Sequence, residues 1–232
     1  PDLVGKIDEQ VATARPNTGY GMTETCGIIT SISGDHFVDK PASCGPAMPA
    51  FESKIVNPDS HEEMPAGEPG ELWVRGAHVI RGYLNREDAT AETIINGWLR
   101  TGDMARKDED DFIYIVDRIK DMVLRGGENI YPREIEEYLI RHPKVSDVQV
   151  FGIPDEKFGE EVCAWAIAKP GADLTEDELR VSLQGQIAHF KIPKHIRIVE
   201  EIPMTITGKP QKFVMRDKML ALLQSDTAQD KP

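Results

Sequence analysis

The sequence has few cysteines, no long apolar run and no surplus of positive charge, and each shortage excludes a class of protein. Its three cysteines, Cys26, Cys44 and Cys163, are far apart and form no Cys-x-x-Cys pair. A disulfide framework or a zinc site is therefore not expected, and a reducing compartment fits best. No apolar run approaches the ~20 residues that a membrane-spanning helix needs. The opening PDLVGKIDEQ lacks the basic start and apolar core of a signal peptide.

The net charge of −13 argues against a nucleic-acid partner, but the charge is unevenly spread. Residues 1–116 contain 10 Lys or Arg and 20 Asp or Glu, whereas residues 117–232 contain 17 and 20. Within residues 189–218, seven basic residues stand against three acidic ones. Two interpretations of this basic segment stay open, a solvated face and a surface that meets phosphates.

The first half of the chain predicts strands and turns. We expect an all-β subdomain over residues 43–116, with GELWVRG (70–76) as a strand and Asn-Gly at 96–97 as a hairpin turn. FIYIVD (112–117) predicts another strand after a polar turn. Residues 19–34, rich in Gly, Thr and Ser, predict a loop around a short apolar stretch.

After residue 117 the pattern changes to mixed α and β, which places a domain boundary near 117–121. Within YPREIEEYLIRHP (131–143), a helix is predicted to start at Pro132 and to end just before Pro143. A second helix is predicted after the capping box formed by Thr175 and Glu178, and a third over residues 211–223. Their expected apolar faces are Ile135, Tyr138 and Leu139, then Leu179, Leu183 and Ile187, and then Met215, Met219 and Leu223. The predicted strands are 145–153, 161–168 and 195–202.

The two ends of the chain predict different structures. Residues 224–232 predict a frayed tail. The first ~20 residues predict an amphipathic helix that leads into a strand with no earlier partner. We therefore expect the chain to be a piece of a larger protein.

The stretch TGYGMTETCG (18–27) offers several groups that could bind a nucleotide. Two glycines flank Tyr20, which would let a ligand approach the backbone closely, and the Tyr20 ring offers a flat face for a base. Thr23 offers a hydroxyl, and Glu24 offers a hard oxygen ligand for Mg²⁺. The stretch is neither a Walker A loop nor a Gly-x-Gly-x-x-Gly turn, so a plain loop between strands stays the alternative.

Two later segments offer further polar positions. RTGD (100–103) places Asp103 after a glycine turn, where a lone carboxylate is usually a local cap. DRIKDMVLRGGENIYP (117–132) contains Arg118, Lys120 and a pair of adjacent glycines. Taken alone, these would be surface charges between two domains and a hairpin turn.

Near the end of the chain, PMTITGKPQK (203–212) places Lys209 after a glycine in a polar run. Outside any motif, such a lysine would be a solvated surface residue. Together with the earlier segments it becomes part of an ordered series, and the members of that series are YGMTE, GELWVRG, GYL, WLRTGD, DRIKDMVLRGGENIYP and PMTITGK.

In this order the series resembles the signatures of the adenylate-forming (AMP-binding) superfamily, and it spans residues 20–209. That superfamily holds acyl-CoA synthetases, aryl-CoA ligases, luciferases and peptide-synthetase adenylation domains. RGGENIYP and HFKIPKHI most resemble medium- and long-chain fatty acyl-CoA synthetases. The resemblance implies ATP, Mg²⁺, coenzyme A and a fatty acid or similar carboxylic acid as ligands.

The resemblance also implies an α/β and α+β fold in two domains. Residues 1–117 would be the C-terminal part of the AMP-binding N-terminal domain, including a β-rich distorted barrel. Residues 118–232 would be a mobile C-terminal domain with its hinge near Lys120. The family's phosphate loop and most of the acyl pocket would precede this chain, so the chain alone is expected to be inactive.

The roles implied for residues 20–118 concern the nucleotide. Tyr20 would stack on adenine beside Gly21, and Thr23 would hydrogen-bond the α-phosphate. Glu24 would hold Mg²⁺. The ribose hydroxyls would be bound by Asp103 and Arg118.

The roles implied for the second domain concern two successive steps. Lys209 would reach the α-phosphate and the acyl carboxylate while the acyl-adenylate forms. Gly126 and Gly127 would help form the tunnel for the pantetheine arm of coenzyme A during thioester formation. Lys120 would be the pivot between the two orientations.

Two other functions stay open from the sequence alone: an adenylation enzyme that loads a carrier protein, and a non-catalytic module that binds a nucleotide. The expected compartment is the cytoplasm, with an organelle lumen left open because the N-terminus is expected to lie upstream. A homodimer is also left open.

Overall fold

The computed structural model describes residues 4, 5, 7 and 15–229, and its internal contacts divide the chain into two units. Unit 1 is Pro1–Ile119 and unit 2 is Lys120–Pro232. The predicted amphipathic helix over the first ~20 residues lies mostly outside the described residues. No helix in the described part of the chain is both long and apolar enough to cross a membrane.

The first two strands described in unit 1 form an antiparallel hairpin. Strand β1 is Asn17–Met22 and β2 is Gly27–Ser33, and a single 3₁₀ turn, Thr23–Thr25, joins them. The loop predicted over residues 19–34 is therefore wrong. Ile29 and Ile32 of β2 are buried in two different apolar clusters, and this burial outweighs the local preference of the Gly, Thr and Ser residues for a loop.

The predicted β-rich part of unit 1 is a five-stranded antiparallel sheet in the order β3-β4-β6-β5, with β7 paired to β6. The strands are β3 Phe51–Val56, β4 Gly70–Gly76, β5 Ile94–Ile95, β6 Trp98–Lys107 and β7 Ile113–Arg118. The predicted strand at 70–76 and the two-residue turn at 96–97 are confirmed. Leu72, Val74, Leu99 and Ile113 form part of the core of this sheet.

One of two short helices in the described part of unit 1 lies within residues 43–116, which are therefore not all-β as predicted. Helix α1 is Asp35–Asp39 and α2 is Glu87–Thr93. Helix α2 buries no residue. It therefore gives the sequence no apolar stripe, which is the signal that identifies an amphipathic helix.

Unit 2 contains a second five-stranded sheet, in the order β10-β11-β8-β9, with β12 parallel to β11. Its elements in chain order are β8 Val123–Arg125, β9 Glu128–Ile130, α3 Pro132–Leu139, β10 Val145–Asp155, β11 Gly159–Ala168, α4 Glu176–Leu183, β12 His195–Ile198 and α5 Lys212–Gln229. The mixed α and β composition predicted for this half is confirmed.

The central strands of unit 2 bury alternate residues on opposite faces. Val150 and Val162 belong to one cluster with residues of α3 and α4. Phe151 and Trp165 belong to another cluster with Met215 of α5. Strand side chains alternate between faces, so the sheet is covered by helices on both sides.

The predicted helices of unit 2 are all present, with different bounds. Thr175 caps α4 by accepting a hydrogen bond from the Glu178 amide at 3.2 Å. Ile187 lies beyond the end of α4, although it still packs against the core. Tyr138 of α3 is 36% exposed instead of buried with its predicted face. Helix α5 continues to Gln229, so the predicted tail is helical as far as that residue, and 230–232 lie outside the described residues.

Candidate functional site

The main candidate site of unit 1 is a cluster of Tyr20, Asp103 and Arg118, which we call the Asp103 cluster. The Tyr20 hydroxyl donates a hydrogen bond of 2.5 Å to Oδ2 of Asp103. Nε of Arg118 donates to Oδ1 at 3.3 Å. Asp103 is buried, at 8% exposure, whereas Arg118 is exposed. The structure thus brings three predicted residues together, 83 and 15 positions apart in the chain.

Strand pairing explains why Asp103 and Arg118 meet. Asp103 of β6 lies directly opposite Arg118 of β7 in the antiparallel register, and such cross-strand neighbours are close enough to form ion pairs. Asp103 was predicted to follow a glycine turn. It lies instead in the middle of the ten-residue strand β6, at an irregularity in the pairing with β4.

The environment of Tyr20 keeps its hydroxyl protonated. Burial raises the pKa of Tyr20 well above its ordinary value, and the hydrogen bond to the Asp103 carboxylate raises it further. A phenol in this state is a permanent donor, so it fixes the orientation of the carboxylate that it contacts.

The close pairing of β1 with β2 explains why glycines flank Tyr20, and the sequence did not indicate this. A Cβ on Gly21 would lie 2.1 Å from the carbonyl oxygen of Gly27 on the paired strand, and one on Gly19 would lie 2.6 Å from that of Thr30. Strand β2 occupies the space that a side chain on either glycine would need. Their lack of a side chain therefore lets the hairpin pair closely, whether or not a ligand approaches.

Glu24 lies in the 3₁₀ turn of the hairpin and is held by Tyr83, a residue for which the sequence predicted no role. Its Oε1 accepts a hydrogen bond of 2.9 Å from the Tyr83 hydroxyl, and its carbonyl accepts one of 2.8 Å from the Ile80 amide. The hydroxyl-bearing Thr23 beside it is exposed. Tyr83 belongs to GYL, one of the signature stretches, and that was the available signal.

The residues fit a magnesium ion only if a nucleotide supplies most of its ligands. Across the described residues there is no group of three or more His, Cys, Asp or Glu side chains able to hold a metal. Mg²⁺ is often bound through one or two carboxylates together with phosphate oxygens and water. Glu24 alone suits that arrangement and does not suit a metal site made by the protein.

In unit 2, Gly126 and Gly127 form the turn between β8 and β9. Their φ angles are 61° and 90°, values that favour glycine. A Cβ on Gly126 would meet the Phe158 ring at 3.3 Å, whereas one on Gly127 would meet nothing within 4 Å. The turn is therefore open to the surrounding space on the Gly127 side.

A buried ion pair anchors this turn. Arg125, the residue before it, donates from Nε and Nη2 to the Glu161 carboxylate at 2.5 and 3.0 Å. The Arg125 guanidinium also lies 4.0 Å from the centre of the Phe158 ring, and the Gly126 amide donates to the Phe158 carbonyl at 2.8 Å. The hairpin is thus fixed to the turn between β10 and β11.

The loop that carries Lys209 is more ordered than its composition predicts. The Thr205 amide donates to the Lys209 carbonyl at 2.8 Å, and the Lys209 amide donates to the Thr205 hydroxyl at 3.0 Å. These bonds close a short hairpin between Met204 and Pro210. The Lys209 side chain is exposed and forms no ion pair within the part of the chain that the structure describes.

Most of the basic segment 189–218 is neutralised by acids from elsewhere in unit 2. Five of its seven basic residues form ion pairs: Lys191 with Glu134, Lys194 with Asp155, Arg197 with Glu176, Lys212 with Glu136 and Arg216 with Glu160. Among the described residues, Lys209 and Lys218 form none. Among the described residues, Lys209 and Lys218 are therefore the basic side chains of this segment whose charge no ion pair neutralises.

Lys120, the predicted hinge, is the first residue of unit 2. It lies in the 3₁₀ turn Ile119–Asp121, and its side chain is exposed. Lys120, Gly126, Gly127 and Lys209 all belong to unit 2, and Tyr20, Gly21, Thr23, Glu24, Asp103 and Arg118 all belong to unit 1.

Comparison with known proteins gives matches along most of the chain. Residues 1–84 match the family model of the AMP-binding enzyme, and residues 134–209 match that of the AMP-binding enzyme C-terminal domain. YngI of Bacillus subtilis (strain 168), a protein named provisionally as an acyl-CoA synthetase, is 46% identical over 230 residues, which cover 98% of this chain and 42% of that protein.

Two further proteins are similar over nearly the same span. The mitochondrial medium-chain acyl-CoA ligase ACSF2 of Mus musculus is 42% identical over 221 residues, 94% of this chain and 36% of the ligase. The structure of o-succinylbenzoate CoA synthetase from Bacillus subtilis, in complex with its acyl-adenylate intermediate, has a TM-score of 0.84 and 32% identity over 94% of this chain and 43% of that one. The chain therefore spans about two fifths of the length of these relatives.

Proposed function

The chain belongs to the AMP-binding enzyme family, and from this premise we propose that the protein carrying it is an AMP-forming acyl-CoA synthetase. Such an enzyme activates a fatty acid with ATP and transfers the acyl group to coenzyme A. The observation that carries the proposal is the Asp103 cluster, a buried carboxylate oriented by a tyrosine and an arginine.

The geometry of the cluster suits a ribose. A carboxylate has about four acceptor positions, two on each oxygen. Tyr20 uses one position on Oδ2 and Arg118 uses one on Oδ1, so each oxygen keeps a position for one ribose hydroxyl. The Tyr20 ring, held by its own hydroxyl, would offer its face to adenine with Gly21 beside it.

The phosphates would then meet the hairpin turn. The exposed Thr23 hydroxyl would donate to the α-phosphate, and the Glu24 carboxylate, oriented by Tyr83, would hold the Mg²⁺ that accompanies ATP. The ion would offset the charge that accumulates when a carboxylate meets a polyphosphate.

The proposed reaction has two balanced steps. In the first, a carboxylate oxygen of the fatty acid attacks the α-phosphorus, and pyrophosphate leaves with the electron pair of the broken P–O bond. Lys209, a cation without an ion pair in the described residues, would stabilise this transition state. In the second, the thiolate of coenzyme A attacks the acyl carbon, and AMP leaves as the thioester forms.

The second step would use a different part of unit 2. The Gly126 and Gly127 turn is anchored by Arg125 and free of side chains, so it could border a narrow channel for the pantetheine arm. We further propose that residues 118–232 act as a mobile domain and that Lys120 is the pivot about which it turns between the two steps. The exposed position of Lys120 at the start of unit 2 supports this role.

The compartment is proposed to be the cytoplasm. The described cysteines are all free, which suits a reducing compartment. The medium-chain acyl-CoA ligase named above is mitochondrial, so cell fractionation should include an organelle fraction as well.

The test uses the full-length protein with ATP, Mg²⁺ and fatty acids of several chain lengths. We expect pyrophosphate exchange into ATP that depends on the fatty acid, and AMP and acyl-CoA once coenzyme A is added. Loading of a carrier protein in preference to coenzyme A would replace the proposal with an adenylation enzyme. Nucleotide binding without any exchange would replace it with a binding module.

A further inference from the structure

The RTGD stretch forms a bulge in the sheet of unit 1. Glu71 of β4 pairs with Met104 of β6, but Trp73, two residues later on β4, pairs with Arg100, four residues earlier on β6. One residue of β4 therefore faces residues 101–103. Bulges of this kind bend a strand and change the direction of a side chain, often next to active sites.

The Thr101 hydroxyl closes one side of the bulge. It donates a hydrogen bond of 2.8 Å to the Leu72 carbonyl across the sheet and accepts one of 3.1 Å from the Asp103 amide. Thr101 is 8% exposed. A single buried oxygen therefore ties the backbone of Asp103 to the neighbouring strand.

The Glu71 carboxylate closes the other side. It accepts hydrogen bonds from the Gly102 amide at 3.2 Å, the Trp73 indole at 2.8 Å and the Arg100 guanidinium at 3.0 Å. Glu71 is 1% exposed. A buried charge with all of these partners is rigid, because releasing any one of them leaves a polar group unsatisfied.

We propose that Thr101 and Glu71 are positioning residues that fix the bulge so that the Asp103 carboxylate is aimed at the ribose before the nucleotide arrives. This inference rests on the proposed function, since it needs Asp103 to bind a nucleotide. Holding a binding group in place in advance reduces the entropy lost when the ligand binds. Neither side chain is expected to touch the nucleotide itself.

The chain contains a matched control for Thr101. The Ser43 hydroxyl donates to the Ile113 carbonyl at 2.8 Å and accepts from the amide two residues later, Gly45, at 2.9 Å. Ser43 is buried at 2% exposure. It makes the same two kinds of bond in unit 1, in the segment before β3 and outside any strand, so its loss should have a similar effect on stability.

The experiment compares Thr101→Val, Thr101→Ser and Ser43→Ala in the full-length protein. The dissociation constants of ATP and AMP are measured by calorimetry, and melting temperature is measured in parallel. We expect Thr101→Val to weaken nucleotide binding about tenfold, the effect of one hydrogen bond. Thr101→Ser, which keeps the hydroxyl, should bind the nucleotides with the affinity of the parent protein. Ser43→Ala should lower the melting temperature comparably and leave nucleotide binding unchanged.

Equal nucleotide affinities for Thr101→Val and the parent protein, or equal losses in Thr101→Val and Ser43→Ala, would overturn the positioning role. Because binding is measured directly, a parent protein that binds ATP but forms no acyl-CoA would defeat the proposed function alone. A parent protein that binds neither ATP nor AMP would defeat both.

Discussion

The Tyr20 hydroxyl and Oδ2 of Asp103 are 2.5 Å apart, and this contact joins the first hairpin of unit 1 to the centre of its sheet. The bond holds two groups proposed to bind different parts of the nucleotide, the base and the ribose. Removing it should therefore loosen both contacts at once.

Tyr20→Phe keeps the ring and removes the hydroxyl. We expect ATP affinity to fall about tenfold, because the Asp103 carboxylate loses a donor that orients it. Tyr114→Phe is the control, since the Tyr114 hydroxyl donates to Asp108 Oδ2 at 3.0 Å elsewhere in unit 1. Calorimetric titration with ATP measures both variants, and a matching loss in Tyr114→Phe would indicate a general effect on folding.

Asp103→Ala should weaken ATP far more than the fatty acid. Loss of a charged hydrogen-bond acceptor costs roughly 1.5–3 kcal/mol, so the KM for ATP should rise by one to two orders of magnitude. Asp108→Ala removes another carboxylate with several partners and should leave that KM unchanged. If Asp103→Ala keeps the parent KM for ATP, Asp103 is not part of the nucleotide site.

Gly127→Leu should spare adenylation and damage thioester formation, since a branched side chain would enter the proposed channel. The substitution also strains the backbone at a φ of 90°. Gly171→Leu controls for that strain, because Gly171 has a φ of 77° and equally open space around it. Pyrophosphate exchange and transfer from a supplied acyl-adenylate are measured separately, and equal loss of both in Gly127→Leu would point to folding.

Lys209→Ala should have the opposite effect. Removing one electrostatic donor typically lowers a rate by ~10²–10³, so pyrophosphate exchange should nearly vanish while transfer from a supplied acyl-adenylate persists. Lys209→Arg should not restore the full rate, because the guanidinium is broader than an ammonium group.

Lys218→Ala is the matched control for Lys209. Both side chains are exposed, and neither forms an ion pair among the described residues. Lys212 is unsuitable, because it is paired with Glu136 at 2.9 Å and its loss would leave that carboxylate without its cation, with the Val150 amide still bound to it. A normal rate in Lys209→Ala with a crippled Lys218→Ala would reverse the assignment.

A polypeptide of residues 120–232 should fold by itself, since unit 2 has its own sheet with a core on each face. Its single cysteine, Cys163, reports the fold. Burial raises the pKa of Cys163 to about 12, so its thiol should resist iodoacetamide at pH 8 until the unit unfolds. A thiol that reacts at once, or a melt without cooperativity, would show that the unit needs the rest of the chain.

Local signals in the sequence predicted the elements whose stability is local. The strand at 70–76 follows from a short stretch closed by glycines and the turn at 96–97 follows from turn chemistry, and both are confirmed. The hairpin over residues 17–33 was missed because its glycines are explained by the opposite strand and not by a turn. Helix α2 was missed because it buries nothing.

The contacts within the candidate site were also not predictable from local signals in the sequence. Asp103 and Tyr20 were selected from their motifs, but their contact spans 83 positions. Tyr83 contacts Glu24 across 59 positions. Such pairings depend on how the elements pack, which no short stretch of sequence specifies.

The ion pairs of the basic segment also affect how the protein would meet its proposed substrates at a distance. ATP and coenzyme A are polyanions, and the chain as a whole carries a charge of −13. With five of seven cations in that segment already neutralised, the segment itself has no broad positive field to accelerate the encounter. Capture would then depend on diffusion and on contacts made after collision. Because the chain and these polyanions carry charge of the same sign, salt that screens their repulsion should raise the rate of association.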